Sequence, residues 1–263
     1  MRSTLRIREH NRAAWDGHVE HGNRWTVPIS SALVEAARYG RWRIKLTPSK
    51  PVPTAWFPEL EGLSVLCLAS GGGQQGPILA AAGAQVTVLD NSPKQLEHDR
   101  LVAERDDLTI TTVEGDMANL SVFPAESFGL IVHPVSNCFT PDVRQVWAEA
   151  FRVLWNSGIL LCGFANPAAY MFDYDLADRT GVLQVKYSLP YSDAVDLTDE
   201  ERQRCIEEGV PLEFSHTLED QLGGQLDAGF VITGLYEDSY RQDADRVLAR
   251  YMSPFLASRA VKP

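Results

Sequence analysis

The chain has 263 residues, enough for one large domain or for one domain carrying a sizeable insertion. Its 44% hydrophobic and 22% charged residues are those of a folded globular protein, not of a disordered or fibrous chain. A net charge of −11 and the lack of any dense Lys/Arg run argue against a polyanionic partner, so no nucleic acid is expected.

Residues 1–15 are charged throughout and lack the apolar core of a secretory signal. No apolar run approaches the roughly 20 residues that span a bilayer, so the sequence predicts a cytoplasmic protein without membrane contact. The four cysteines, Cys67, Cys138, Cys162 and Cys205, show no C-x-x-C spacing. They read as small core residues of a reducing compartment, with no metal site.

Residues 1–58 read as a helical cap ahead of a main domain over 59–263. A helix is predicted over 8–20. A second is capped by Ser30 or Ser31 and runs to Tyr39, with Gly40 as its stop signal. The proline-rich stretch 47–53 reads as an extended connector. From residue 63, short apolar strands (63–68, 85–90, 108–113, 128–133, 158–164) alternate with helices (76–82, 93–104, 142–154). That alternation predicts an α/β fold with a doubly wound, mostly parallel sheet covered on both faces.

The pattern breaks at Asn166. Residues 167–214 form an insertion with Tyr170, Phe172, Tyr174, Tyr187 and Tyr191 among many acids, which reads as a lid or as packing against the sheet. One short helix is predicted in it, over 199–208, with Thr198 and Glu201 as a capping box. A helix over 218–228 and strands over 230–237 and 255–261 follow. The last two strands are placed to pair antiparallel at the sheet's end.

The stretch that carries chemistry is Val65-Leu66-Cys67-Leu68-Ala69-Ser70-Gly71-Gly72-Gly73-Gln74-Gln75-Gly76. A strand runs into a glycine cluster where the chain must turn sharply, and the helix after it presents unpaired N–H groups and partial positive charge to a ligand. The next strand ends on Asp90, about 20 residues past the first glycine, where a carboxylate suits the two hydroxyls of a ribose. Gly71-x-Gly73-x-x-Gly76 matches the dinucleotide fingerprint, and the same residues suit S-adenosylmethionine (SAM).

The order of segments resembles the class I SAM-dependent methyltransferases, specifically their small-molecule branch. The resemblance covers roughly residues 63–263. It rests on residues 65–73, on Leu89-Asp90-Asn91-Ser92, and on Val113-Glu114-Gly115-Asp116-Met117. It rests further on Phe128-Gly129-Leu130-Ile131-Val132, on Phe151-Arg152-Val153-Leu154 with Gly158-Ile159-Leu160-Leu161, and on Ala228-Gly229-Phe230. It implies a seven-stranded Rossmann-like sheet with an antiparallel C-terminal hairpin. The implied activity is in-line transfer of a methyl group from SAM to a small-molecule acceptor, leaving S-adenosylhomocysteine (SAH). The implied assembly is a monomer or homodimer.

The resemblance implies a cofactor set of Ala69, Ser70, Gly71, Gly73, Asp90, Asn91, Asp116, Met117 and His133. Asp90 would take the ribose, and Asp116 or Met117 the adenine. His133 and Asn137 leave the fourth strand beside the reacting sulfur, and are equally open to capping or structural roles. His216, ahead of the 218–228 helix, is a weak candidate for a general base, as is His133; otherwise the catalytic residue is unassigned. Trp15 and Trp25 are placed either over the cofactor or in helix packing. Three positions depart from the family: Cys67 stands where an acid is usual, Ala69 where the first glycine is usual, and Gly129 where an Asp often begins the fourth strand. Another group must therefore serve the methionine end of the cofactor. Two alternatives stay open, a SAM-binding protein without turnover and an NAD(P)-dependent oxidoreductase.

Overall fold

A computed structural model describes residues 6–240 and 247–263. Helices α1 (Ile7–Glu20) and α2 (Ser31–Arg38) precede the sheet. Helices α3 (Gln75–Ala81), α4 (Pro93–Arg105) and α5 (Val143–Val153) connect its strands. The insertion carries α6 (Tyr174–Thr180), α7 (Asp193–Asp196) and α8 (Asp199–Glu207), and α9 (Gly224–Asp227) follows it. Strands β1 (Ser64–Leu68), β2 (Gln85–Asp90), β3 (Ile110–Glu114), β4 (Phe128–His133), β5 (Leu154–Ala165), β6 (Val231–Asp238) and β7 (Phe255–Val261) form one sheet in the order β3-β2-β1-β4-β5-β7-β6. Six strands share one direction, and β7 runs antiparallel to β5 and β6. The Rossmann-like sheet with its C-terminal hairpin is thus the fold.

β1 shows why these strands are so apolar. Leu66 and Leu68 pack in one layer with Trp147 and Val153 of α5, while Val65 and Cys67 pack in the other with Leu79 of α3 and Leu96 of α4. A strand covered on both faces needs apolar side chains at both positions of its two-residue repeat. The strand order reverses direction between β1 and β4, which leaves a crevice at the carboxyl ends of the strands.

Several boundaries differ from the sequence reading. β3 begins at Ile110, two residues later than expected, because Asp107 (φ 52°) and the Leu108 N–H bond to the Ala103 carbonyl still belong to the turn that closes α4. β5 begins at Leu154, directly after α5, because Leu154 already pairs with Phe128 across an irregularity in β4. The predicted helix over 218–228 is a π-helical turn, Glu219–Gly223, leading into α9. The Trp147 indole N–H takes the Asp220 carbonyl at 2.9 Å and Gly224 lies against that ring, so the helix is shaped around one bulky side chain. The insertion holds three α-helices and a 3₁₀ turn rather than one helix, although the Thr198–Glu201 capping box forms as expected. Ser30 sits at the N-cap of α2 without a side-chain cap bond, and Gly40 takes the left-handed conformation that stops the helix.

The stretch 47–53 is not an extended connector. Lys45 bridges antiparallel to Pro51, and Asp238 gathers the Ser49 and Lys50 amides (both 2.8 Å) and the Ser49 hydroxyl (2.6 Å). The strap so formed, residues 41–52, lays Ile44, Leu46 and Val52 into the α3 side of the core. Among the described residues, no helix is long and apolar enough to cross a membrane. The irregular segment between β6 and β7 lies partly outside the described residues, at 241–246, as do residues 1–5 of the predicted cap.

Asn11 of α1 fastens the N-terminal helix to the insertion. Its buried amide donates to the Phe139 and Leu212 carbonyls (3.1 and 3.0 Å) and accepts from the Leu212 N–H at 2.8 Å. Asn11→Ala leaves a buried amide and two carbonyls unpaired, and is expected to cost about 2 kcal/mol in urea unfolding. An unchanged midpoint would mean that water replaces the side chain at no cost.

Candidate functional site

The crevice opens into a cavity of about 690 Å³, within the roughly 300–1,000 Å³ of small-molecule sites. One wall is the loop after β1. Ala69 turns into the left-handed region (φ 46°), and Gly72 and Gly73 follow with φ of 107° and 68°, a run that side chains would strain. The Gly71 N–H donates to the Asp90 carboxylate at 2.9 Å, and the Ser92 N–H donates to its other oxygen at 2.9 Å. Burial raises the Asp90 pKa, opposed by those amides. A carboxylate so held at the tip of β2 still presents lone pairs to the cavity.

Asp116 and Met117 line the cavity from the turn after β3. Asp116 accepts from the Ala118 N–H at 2.9 Å and lies 3.8 Å from the Arg8 guanidinium. Asn91 also lines the wall, but its amide already exchanges bonds with Arg8: Nδ2 donates to the Arg8 carbonyl (2.9 Å) and Oδ1 accepts from Arg8 Nε (3.2 Å). Helix α1 thus closes the Asp90–Asp116 end through Arg8, Asn11 and Trp15. Trp25 and the strap residues Lys45 and Leu46 close the next side. Gln74 ties the glycine loop to the first of these by donating to the Trp25 and Val27 carbonyls at 3.1 and 3.0 Å, and Gln75 ties it to the strap by donating to the Lys45 carbonyl at 3.3 Å.

These positions fit the cofactor that the sequence implies. A Cβ on Gly71 would sit 2.7 Å from Gln95 Cβ and 3.1 Å from the Asp90 carboxylate, so the wall is shaped around a bare backbone. Ala69, Ser70, Gly71, Asp90, Asn91, Asp116 and Met117 share the cavity wall.

His133, Gly73, His216 and Asn137 do not lie on that wall. His133 is fully buried at the end of β4, and its Nδ1 donates to the Leu68 carbonyl at 2.8 Å. Burial lowers its pKa to about 4, so the ring is neutral and steadies the base of the glycine loop from behind. Gly73 is turned inward, where a Cβ would meet the His98 carbonyl oxygen at 2.8 Å. His216 is buried, with Nε2 3.1 Å from the Asn137 carbonyl, and Asn137 donates to Gln221 at 2.9 Å. His216 and Asn137 thus join the loop after β4 to the π-helical turn ahead of α9.

The far end of the cavity belongs to the insertion. Tyr170, Tyr174, Asp178 and Glu213 line it, while Tyr191 stacks on Tyr170 and Tyr187 packs against Tyr191 at a tilt. The Tyr170 hydroxyl donates to Glu213 at 2.5 Å, and burial pushes the Glu213 pKa up to about 6. Glu213 was not among the expected site residues. Its signal in the sequence is a lone acid inside the apolar run Val210-Pro211-Leu212-Glu213-Phe214. Asp99 was missed too. It is a fully buried acid of α4 on the same face as Leu96 and Val102, and it accepts from the Gly72 N–H at 3.0 Å.

Known proteins bear on this arrangement in three ways. The profile of the methyltransferase domain family matches residues 66–162. The chain is 55% identical over 253 residues to the protein named uncharacterized methyltransferase YbaJ of Bacillus subtilis, covering 96% of this chain and 97% of that one. A shorter match, 33% over 102 residues, reaches a sterol 24-C-methyltransferase of Aspergillus fumigatus and covers 38% of this chain and 27% of that protein. Among solved structures, a SAM-dependent methyltransferase from Mesorhizobium loti superposes with a TM-score of 0.59 at 21% identity, over 79% of this chain and 94% of that one. That last likeness is one of fold.

Proposed function

The chain belongs to the class I SAM-dependent methyltransferases, and from that membership we propose that it methylates a small molecule held in the 690 Å³ cavity. The observation that carries this reading is the Asp90 carboxylate, fixed by the Gly71 and Ser92 amides and facing the cavity. In this reading Asp90 accepts from the ribose hydroxyls, Asp116 and Met117 meet the adenine, and the Ala69–Gly71 backbone faces the amino-acid end. When bound, SAM supplies a methyl group already activated on a sulfonium. The chain's own work is to align the acceptor in line with that carbon and to keep water out. Helix α1, the strap and the insertion supply the enclosure.

An acceptor whose nucleophile is a hydroxyl or an amine must also lose a proton. Glu213 lines the insertion end with a pKa near 6, so it is ionised at neutral pH and able to hold that proton. Glu213→Gln is expected to lower turnover at pH 7.5 by about 10- to 100-fold. Because Glu213 works as the anion, wild-type turnover should fall as pH drops through 6, and the Gln variant should lose that step. Equal profiles for the two proteins would remove Glu213 from the reaction.

The reading itself is tested with methyl-labelled SAM against acceptors grouped as alcohols and phenols, amines, thiols and carbon acids. Label in a small acceptor, with matching SAH release, is the expected result. SAM binding without SAH from any group would favour the binding-protein alternative. Binding of NADH or NADPH in place of SAM would contradict both.

A further inference from the structure

Asp99 is an anomaly of α4. Its helix neighbours Leu96 and Val102 point into the core, and a carboxylate at that position is fully buried. Burying an acid is costly unless its oxygens are well served. Here one oxygen accepts from the Gly72 N–H at 3.0 Å, and the Gly73 N–H is directed at the same carboxylate. The Gly72 amide is shared with the Gln95 carbonyl, also at 3.0 Å. The second oxygen, Oδ1, is buried without a partner. It lies where a Cβ on Gly76 would come within 3.3 Å.

The charged and titratable groups facing Asp99 are few. Cys67 approaches from β1, Asp90 from β2, and Arg100 from its own helix, while the loop contributes only amides. Desolvation dominates, and it raises the Asp99 pKa to about 8. The Cys67 thiol beside it is raised further, by burial first and by Asp99 second. Such a group does not strengthen the core. Its position does set which way the loop's amides point.

We infer that Asp99 is the positioning residue of the cofactor loop, holding the Gly72 and Gly73 amides inward so that Ala69, Ser70 and Gly71 line the cavity. The acid absent from β1, where Cys67 stands, is thereby supplied from α4. Asp99 touches neither the cavity nor a ligand in this arrangement, and acts only through the loop. The inference rests on the proposed reading that SAM occupies this cavity.

Calorimetric titration with SAH, paired with thermal unfolding, tests it on the full chain. Asp99→Asn keeps an acceptor oxygen and should bind within about 3-fold of wild type. Asp99→Leu keeps the branching at Cγ but removes the acceptor, and should weaken binding by about 10-fold or more, in line with leaving a buried amide without its hydrogen bond. Cys67→Asp combined with Asp99→Leu returns a carboxylate to the loop from β1, and should recover most of the lost affinity. A merely structural role would lower the melting temperature of Asp99→Leu without such recovery.

Asp99→Leu binding as tightly as wild type overturns the inference, and so does a folded double variant that binds no better than Asp99→Leu. Should Asp99→Leu fail to fold, Asp99→Glu carries the test. The extra methylene pushes against the two amides, and a loss of about 10-fold supports the inference while unchanged affinity overturns it. Wild type that binds no SAH would instead sink the underlying reading, and this inference with it.

Discussion

Asp90→Ala is expected to weaken SAH binding by about 100-fold while leaving the fold intact. The carboxylate does two things at once: it offers lone pairs to the cavity, and it fixes the Gly71 and Ser92 amides at 2.9 Å each. Removing it takes away a charged acceptor and leaves two amides to find new partners. A hydrogen bond to a charged group is worth about 1.5–3 kcal/mol, so the loss comes to about 3 kcal/mol in binding. Stability should change much less. The pKa of Asp90 is raised in the fold, so its ionised form is held at a cost that alanine removes. Calorimetry and thermal unfolding on one sample separate the two effects. A variant that binds normally would mean that Asp90 does not face the ligand.

Gly163→Val is expected to cost about 3 kcal/mol and to open the cavity. Gly163 lies in β5, where a Cβ would fall 2.2 Å from the Leu46 carbonyl oxygen and 2.8 Å from its carbon. Both are backbone atoms and cannot swing aside. Leu46 is buried in the strap, lines the cavity, and accepts from the Val135 N–H at 3.0 Å. Overpacking of this kind usually costs about 1–3 kcal/mol, and here the strap must lift from the sheet to relieve it. Urea unfolding should show the loss, and SAH affinity should fall with it. Gly17→Ala provides the contrast. Gly17 sits inside α1 with nothing within 4 Å of a Cβ, so the substitution should stabilise by about 0.5–1 kcal/mol.

Asp99 adds a pH signature. Its folded pKa of about 8 lies well above the ordinary carboxylate value, so the fold favours the protonated form. As pH rises from about 4 to 8, the unfolded chain has given up this proton and the folded chain has not. Stability from this group is therefore full at low pH and is lost across that window. Asp99→Asn should melt progressively higher than wild type as pH rises from 5 to 8. A constant difference in melting temperature would mean that the carboxylate ionises freely in the fold.

What was legible in the sequence was what local pattern determines. Apolar strands such as 65–68 and 128–132 announce a sheet buried on both faces. The glycine run, the strand ending on Asp90 and the acid at 116 announce a ligand crevice at the strand ends, and all of them reach the cavity wall except Gly72, Gly73 and Gly76. What escaped depends on distant partners. The strap reads as a connector because nothing local shows that Asp238, nearly 200 residues away, will fold it back through Ser49. Asp99 reads as a helix acid until α4 is docked beneath the loop. His133 reads equally as a ligand or as a structural residue because it leaves a strand at the right end, and only the packing shows its ring turned back to the Leu68 carbonyl. The π-helical turn at Glu219–Gly223 follows from Trp147, which no neighbour in sequence reveals.

In the proposed function, the cavity between the loop after β1, Asp90 and Asp116 holds SAM. Isothermal titration of the wild-type chain with SAH tests it most directly. One site per chain with micromolar affinity is expected, weakened by about 100-fold in Asp90→Ala. No heat of binding and no thermal shift at millimolar SAH would contradict it.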